Sequence, residues 1–255
     1  MGFAKAAGHL GNKYVGENAE QVSATRVVDF GEAELSTDTN DSGAWWLKID
    51  GFLHSHVNIA NPSLLKVPYI RWMSRAVDAS AVGSQALDIV HLGGGGMTLP
   101  RYFAATRPGS RQCVVEADSA LIEFIMEYIP ISDECGISVH NEDAEMWLRR
   151  TEEDSADVII SDAFADSVTQ PAHLRTHGYV SLAARALRED GVYLVNLIDE
   201  APYNFLDSQL GIHASIFKSV HLLAASDFRN KKKPVNAVLV AANWDLNLEA
   251  HFASS

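Results

Sequence analysis

Four consecutive glycines, Gly93-Gly94-Gly95-Gly96, follow the apolar run ALDIVHL and precede the helically spaced segment TLPRYFAATRP. A glycine turn between a strand and a helix lets the backbone approach a ligand at the positive helix N-terminus. The GxGxxG dinucleotide fingerprint fails in both registers, because Thr98 or Leu99 stands at its last glycine place, and the Walker A lysine is absent. Dinucleotides and ATP phosphates are therefore disfavoured. Glu116 ends the next apolar run, CVVE, about twenty residues on, where a carboxylate accepts hydrogen bonds from both hydroxyls of a ribose. Glycine turn and distal acid together point to a nucleoside. Asp143, just after the third run GISVH, is placed either to meet an adenine amine or to cap the helix that follows. Asp162 ends ADVIISD, and Asp166 follows in the loop DAFADSVTQP. Two carboxylates at one mouth suit proton removal from an attacking amine and stabilisation of its charge, although Asp166 equally suits a turn before Pro171.

Other residues carry less chemistry. His54 and His56 share one face of a strand by simple alternation, and His173 and His177 share one face of a helix, yet neither pair brings a third ligand, so no metal is expected. His91 lies inside an apolar strand and reads as a core histidine. No G-x-S-x-G occurs, which leaves a hydrolase nucleophile unsupported. Trp46 and Trp72 are the tryptophans placed to line a pocket, against a general expectation of packing.

These residues need a frame to hold them. Residues 1–25 have no clear period and read as a mobile extension. Residues 26–60 alternate short apolar runs with turn residues and predict a small N-terminal β-hairpin domain. Residues 61–255 open with a linking helix, limited by Pro68, and continue as seven strands: ALDIVHL, CVVE, GISVH, ADVIIS, GVYLVNLI, VHLLAAS and VNAVLVAAN. Helical segments separate the first five strands, the last of them running through GYVSLAARALRED. The connection DFRNKKKP is too short for a parallel crossover, so the last two strands should pair antiparallel. This is an α/β chain with a Rossmann-like, AdoMet-dependent methyltransferase-type seven-stranded sheet.

Composition narrows the partners. Twenty Lys plus Arg against thirty-three Asp plus Glu give a net charge of -13, which disfavours nucleic acid and suits a cationic small molecule. The one basic run, Lys231-Lys232-Lys233, reads as a solvated loop tip. Two cysteines without metal-ligand spacing fit reduced thiols, and no stretch approaches the roughly 18 apolar residues of a membrane span, so no membrane association and a cytoplasmic location are expected.

Taken together, LKIDGFLHSH, HLGGGGMTLPRY, VVEAD, NEDAEMW, DVIISDAFAD, PAHL with YVSLAARAL, and VNAVLVA resemble the spermidine/spermine synthase (polyamine aminopropyltransferase) family over about residues 45 to 242, and in detail its divergent actinobacterial spermidine synthase-like members. The resemblance implies transfer of an aminopropyl group from decarboxylated AdoMet to an amine such as putrescine, with 5′-methylthioadenosine as product, no metal, and a homodimer. It makes Gly93, Gly94 and Gly95 the glycine loop, Glu116 the ribose acid, Asp143 the adenine-side acid and Asp162 the catalytic aspartate. His54 stands for a donor-binding glutamine, and Tyr69-Ile70-Arg71 for a Tyr-His-Glu polyamine contact.

Three departures stand out. The family commonly reads Asp-Ser-Ser-Asp-Pro where this chain has Asp162-Ala163-Phe164-Ala165-Asp166, and Gly96 replaces an acid that commonly follows the glycines. Arg71 would set a cation beside the amine. The nucleoside half of the site is kept and the polyamine half is altered. Two other readings follow: an AdoMet-dependent methyltransferase, with Arg71 or Arg101 taking the donor carboxylate, and a non-catalytic nucleoside-binding homologue, plugged by Phe164.

Overall fold

The computed structural model describes residues 22–248, apart from 82, 167, 231 and 232. The expected N-terminal extension up to residue 21, and Lys231 and Lys232 of the basic run, lie outside the described residues.

Seven strands form one sheet: β5 (Asp88–Leu92), β6 (Arg111–Glu116), β7 (Ile137–Asn141), β8 (Ala156–Ser161), β9 (Leu187–Asp199), β10 (Ser219–Leu223) and β11 (Val235–Ala242), in the order β10-β11-β9-β8-β5-β6-β7. Strands β5 to β9 run parallel, and β11 pairs antiparallel with both β9 and β10, as the short connection requires. Their near-continuous apolar sequences reflect burial on both faces. Leu92, Tyr193, Val195 and Leu239 face α4 (Ala144–Arg150), α5 (His177–Ala186) and α6 (Asn204–Ala214), while Ile89, Val158, Ile160, Leu194 and Val240 face α1 (Pro68–Ser80) and α2 (Thr98–Thr106). Period-two alternation thus divides one sheet between two cores.

Three boundaries differ from the sequence reading. Residues 23–25, read with the extension, are already paired with Glu34, Leu35 and Ser36 in the small sheet. The linking helix begins only at Pro68, whose fixed φ and missing N–H suit a first helical turn. Helix α5 stops at Ala186, earlier than its helical pattern suggests, and Leu187 is already extended. Arg188 is drawn off the helix by Asp157 at 2.5 Å and Asp88 at 2.7 Å. No described helix is long and apolar enough to cross a membrane.

A second sheet precedes the first: β1 (Ser23–Val28), β2 (Gly31–Thr37), β3 (Ala44–Ile49) and β4 (Phe52–Asn58), an antiparallel meander. Its inner face, with Leu35, Trp45 and Leu47, packs on Leu121, Phe124 and Ile125 of α3 (Ser119–Tyr128). The joint is also polar. Asp118 caps α3 by accepting from Leu121 N–H at 2.7 Å and reaches across to Phe30 N–H at 3.0 Å. Asp29 answers from the β1–β2 turn, accepting from Ser119 N–H at the positive end of the helix.

Asp118 is almost wholly buried, so truncating it removes a cap and orphans the Phe30 amide. Asp118→Ala is expected to lower stability by about 1–3 kcal/mol in urea unfolding. Asp118→Asn should recover only part of it, because its one amide oxygen can replace the Leu121 cap or the Phe30 contact but not both.

Candidate active site

The sheet order reverses at β5, which pairs with β6 on one side and β8 on the other, and ligands of open α/β sheets bind outside the strand ends at such a point. Gly93 leaves β5 there with φ +102, and a Cβ on it would lie 2.4 Å from the Asp162 carbonyl oxygen. Only glycine lets the two strand ends approach this closely. Glu116, at the end of β6, accepts through one carboxylate oxygen from Gly94 N–H at 2.7 Å and Gly95 N–H at 3.3 Å, and through the other from Asp118 N–H at 3.0 Å. From the opposite side, Ser55 Oγ accepts from Gly96 N–H at 3.0 Å. The glycine turn is therefore held between an acid of the large sheet and a strand of the small one.

Asp162 stands where these elements meet. Tyr69, in the first turn of α1, donates its hydroxyl to one carboxylate oxygen at 3.0 Å, and Asn196 of β9 donates to the other at 2.8 Å. Asn236 of β11 donates in turn to Asn196 Oδ1 at 3.1 Å. Burial pushes the Asp162 carboxyl above the usual aspartate range; the Asn196 and Tyr69 hydrogen bonds oppose that rise and the Glu116 charge adds to it. Burial, with the Asp162 charge beside it, raises the Tyr69 hydroxyl well above its ordinary value, so it acts as a neutral donor.

Two cavities open on either side of Asp162. A narrow cleft of about 90 Å³ is lined by Gly93, Gly95, Glu116, Glu142, Ala144 and Asp166 among others. A wider chamber of about 380 Å³ is lined by Tyr69, Gly94, Thr98, Asn196 and Asn236 with an apolar wall. Asp162, His54 and Phe164 border both.

The structure thus gathers Gly93, Gly94, Gly95, Glu116, Asp162, Asp166, His54 and Tyr69 around one paired cavity. Asp143 is not among the lining residues. Its carboxylate caps α4, accepting from Glu145 and Met146 N–H, and holds His173 at 2.8 Å, so both oxygens are engaged. Asp166 reaches the cleft, but its Oδ1 closes a turn on Val168 and Thr169 N–H at 2.9 and 2.7 Å.

His54 and His56 do not share a face. A bulge opposite Leu47 and Lys48 inserts His54 as an extra residue, sending it to the cavities with a buried, unpartnered Nε2. Burial lowers its pKa against a smaller upward pull from Asp50, which favours the neutral ring. His56 instead joins Asp38 and Asp41, a triplet of potential ligands the sequence reading did not assemble. The Lys66 ammonium already neutralises both acids, at 2.7 and 3.1 Å.

Neither arginine reaches a cavity. Arg71 is exposed, so no cation stands beside Tyr69 as the motif order suggested. Arg101 donates to the carbonyls of Ile129 and Pro130. Trp46 packs on His56 and Trp72 on the α1 core, and neither lines a cavity. Asn196 and Asn236 were missed from sequence; the available signal was an amide inside otherwise apolar strands, which burial permits only with a partner.

Residues 85–203 match the model of the spermine/spermidine synthase domain. No curated protein sequence matches the chain. Among solved structures, a probable spermidine synthase from Corynebacterium glutamicum is similar at 27% identity and TM-score 0.83, over 89% of this chain and 82% of that one. A spermidine synthase in complex with the transition-state analogue AdoDATO is similar at 16% identity and TM-score 0.66, over 90% and 75%. Human methyltransferase-like protein 13, in complex with SAH, shares the fold at 18% identity and TM-score 0.62, over 71% and 84%.

Gly96 has no room for a side chain: a Cβ would fall 2.8 Å from Ser55 Cβ and 2.9 Å from Val57 Cγ2. Gly96→Ala should therefore cost about 1–3 kcal/mol in thermal unfolding. Gly211→Ala, in the open of helix α6, should instead gain about 0.5–1 kcal/mol. Equal effects of the two would remove the steric account of the turn.

Proposed function

We propose that this chain, which belongs to the spermidine/spermine synthase family, moves an aminopropyl group from decarboxylated AdoMet to a small amine. The observation that carries the reading is the ordered Asp162 carboxylate at the junction of the two cavities. The narrow cleft takes the adenosine. Glu116 exchanges its loop amides for the ribose hydroxyls, His54 offers its unpartnered Nε2, and Asp143 acts on the adenine side by fixing α4, whose Ala144 lines the cleft. Phe164 borders both this cleft and the chamber beside it.

The wider chamber takes the propyl arm and the acceptor. The amine lone pair attacks the propyl carbon bonded to the sulfonium; a C–N bond forms and the C–S pair returns to sulfur, releasing 5′-methylthioadenosine. The proton lost by the nitrogen passes to Asp162. Tyr69 and Asn196 fix the carboxylate from both sides, so its free lone pairs are aimed before the amine arrives. Asp166, tied to its own turn, borders the cleft rather than anchoring the amine. No step calls on a metal. Homodimer assembly, implied by the resemblance, and a cytoplasmic location, expected from the cysteine usage and the lack of a membrane span, stand as proposals that sedimentation and fractionation test.

Methyl transfer from AdoMet is the second reading, and the fold shared with a methyltransferase favours it. It needs a partner for the donor carboxylate, and neither Arg71 nor Arg101 borders a cavity. A non-catalytic nucleoside binder is supported by Phe164 alone, while the positioned Asp162 weighs against it.

Asp162→Asn is expected to lower kcat by about 10²–10⁴-fold while leaving 5′-methylthioadenosine affinity within a few fold, measured by product release and calorimetry. Glu116→Gln should do the reverse and weaken nucleoside binding by about 1–3 kcal/mol. The reaction needs the Asp162 carboxylate ionised, so kcat/KM falls as pH drops through its raised pKa. Tyr69→Phe removes a hydrogen bond that lowers this pKa, and the acid limb should move to higher pH. A limb that stays in place would take Asp162 out of the proton transfer.

A further inference from the structure

The wider chamber is nearly uncharged. Among its described lining residues Asp162 is the one carboxylate, and no lysine or arginine is present. The two histidines add no charge: burial holds His54 below its ordinary value and His91 at about 4. The rest of the described wall is apolar side chains, Leu99, Ile160 and Ile198 among them, the glycine turn, and the neutral groups of Ser55, Tyr69, Thr98, Asn196 and Asn236.

The other nearby acids are committed elsewhere. Glu116, Asp118, Glu142 and Asp166 border the nucleoside cleft and not this chamber. Glu116 is held by three backbone amides, Asp118 by those of Phe30 and Leu121, and Asp166 by its own turn. The glycine turn supplies no acid either, since Gly96 gives its amide to Ser55 and leaves no space for a side chain.

Charge must balance in such a space, because an ammonium taken out of water without an anion is unfavourable. Decarboxylated AdoMet brings a propylammonium into the chamber, and the attacking amine brings a second nitrogen that sheds its proton to Asp162. Asp162 is the one described carboxylate that faces both. A diamine acceptor would add a third basic nitrogen, with only apolar groups and neutral amides to receive it.

We propose that the acceptor carries a single basic nitrogen and an uncharged remainder, a short aliphatic monoamine or amino alcohol rather than a diamine. This rests on the aminopropyl-transfer reading and specifies its substrate class.

The test is calorimetric titration of the full chain, saturated with 5′-methylthioadenosine, with butylamine, 4-amino-1-butanol and putrescine, which differ only at the far end. The first two are expected to bind at least tenfold more tightly than putrescine. Putrescine binding equally or better would overturn the inference and leave aminopropyl transfer standing. No amine binding beside bound 5′-methylthioadenosine would also overturn it, with nucleoside recognition intact. If 5′-methylthioadenosine itself fails to bind, the proposed function falls, and the same ranking measured on the protein alone decides the chamber's preference. Ile198→Asp supplies a second carboxylate in the wall and should bring putrescine at least tenfold closer to the monoamines. A folded Ile198→Asp protein with an unchanged ranking would also overturn the charge account.

Discussion

A carboxylate drawn out of water and met only by neutral donors is costly, and the arrangement around Asp162 is what makes it tolerable here. Tyr69 and Asn196 each satisfy one oxygen, so the charge is solvated by the protein instead of being neutralised. Bringing those donors together constrains distant parts of the chain. Helix α1 must begin at Pro68 for Tyr69 to sit in its first turn. Strand β11 must return antiparallel beside β9, where Asn236 opposite Ile198 lies diagonal to Asn196 and can hold its amide in place. Gly93 must lack a side chain so that β5 and β8 end in contact. The two apolar cores flanking the sheet supply the stability against which this local cost is set.

The small N-terminal sheet belongs to the same arrangement. Strand β4 touches the glycine turn through Ser55 and Val57, and the Thr98 hydroxyl at the start of α2 donates to the His56 carbonyl at 3.2 Å. The turn is thereby preorganised by packing instead of by a ligand. The buried His56, pressed against Trp46 and bound to Asp38, gives β4 a fixed floor, and Lys66 bridges Asp38 and Asp41 beside it. Gly96 is the consequence: Ser55 and Val57 of the strand occupy the space that a side chain there would need.

Sequence alone carried much of this, because the large sheet is written in a strong signal. Apolar runs separated by helical segments gave seven strands and the sense of the last two, and strand ends located Gly93, Glu116 and Asp162 without any knowledge of contacts. What stayed hidden was set by partners far along the chain. Alternation put His54 and His56 together, but a bulge adds one residue without leaving a mark in the hydropathy pattern. Asp143 reads equally well as a ligand acid and as a cap, and only His173, thirty residues later, decides how its second oxygen is used. Asn196 and Asn236 looked like isolated amides until the antiparallel pairing of β9 and β11 joined them.

Attraction and selection are separate physical problems in this molecule. A net charge of -13 draws any cation toward the surface, and a diamine more strongly than a monoamine. That field is screened beyond about 8–10 Å at physiological salt, so it acts on amines close to the surface. Inside, desolvation reverses the order, since each added ammonium needs an anion that the described lining residues do not provide. The surface therefore raises the local concentration of amines in general, and the single carboxylate decides among them. One or two side chains on this wall can thus change which amine fits without change to the cleft beside it or to the strands that carry both.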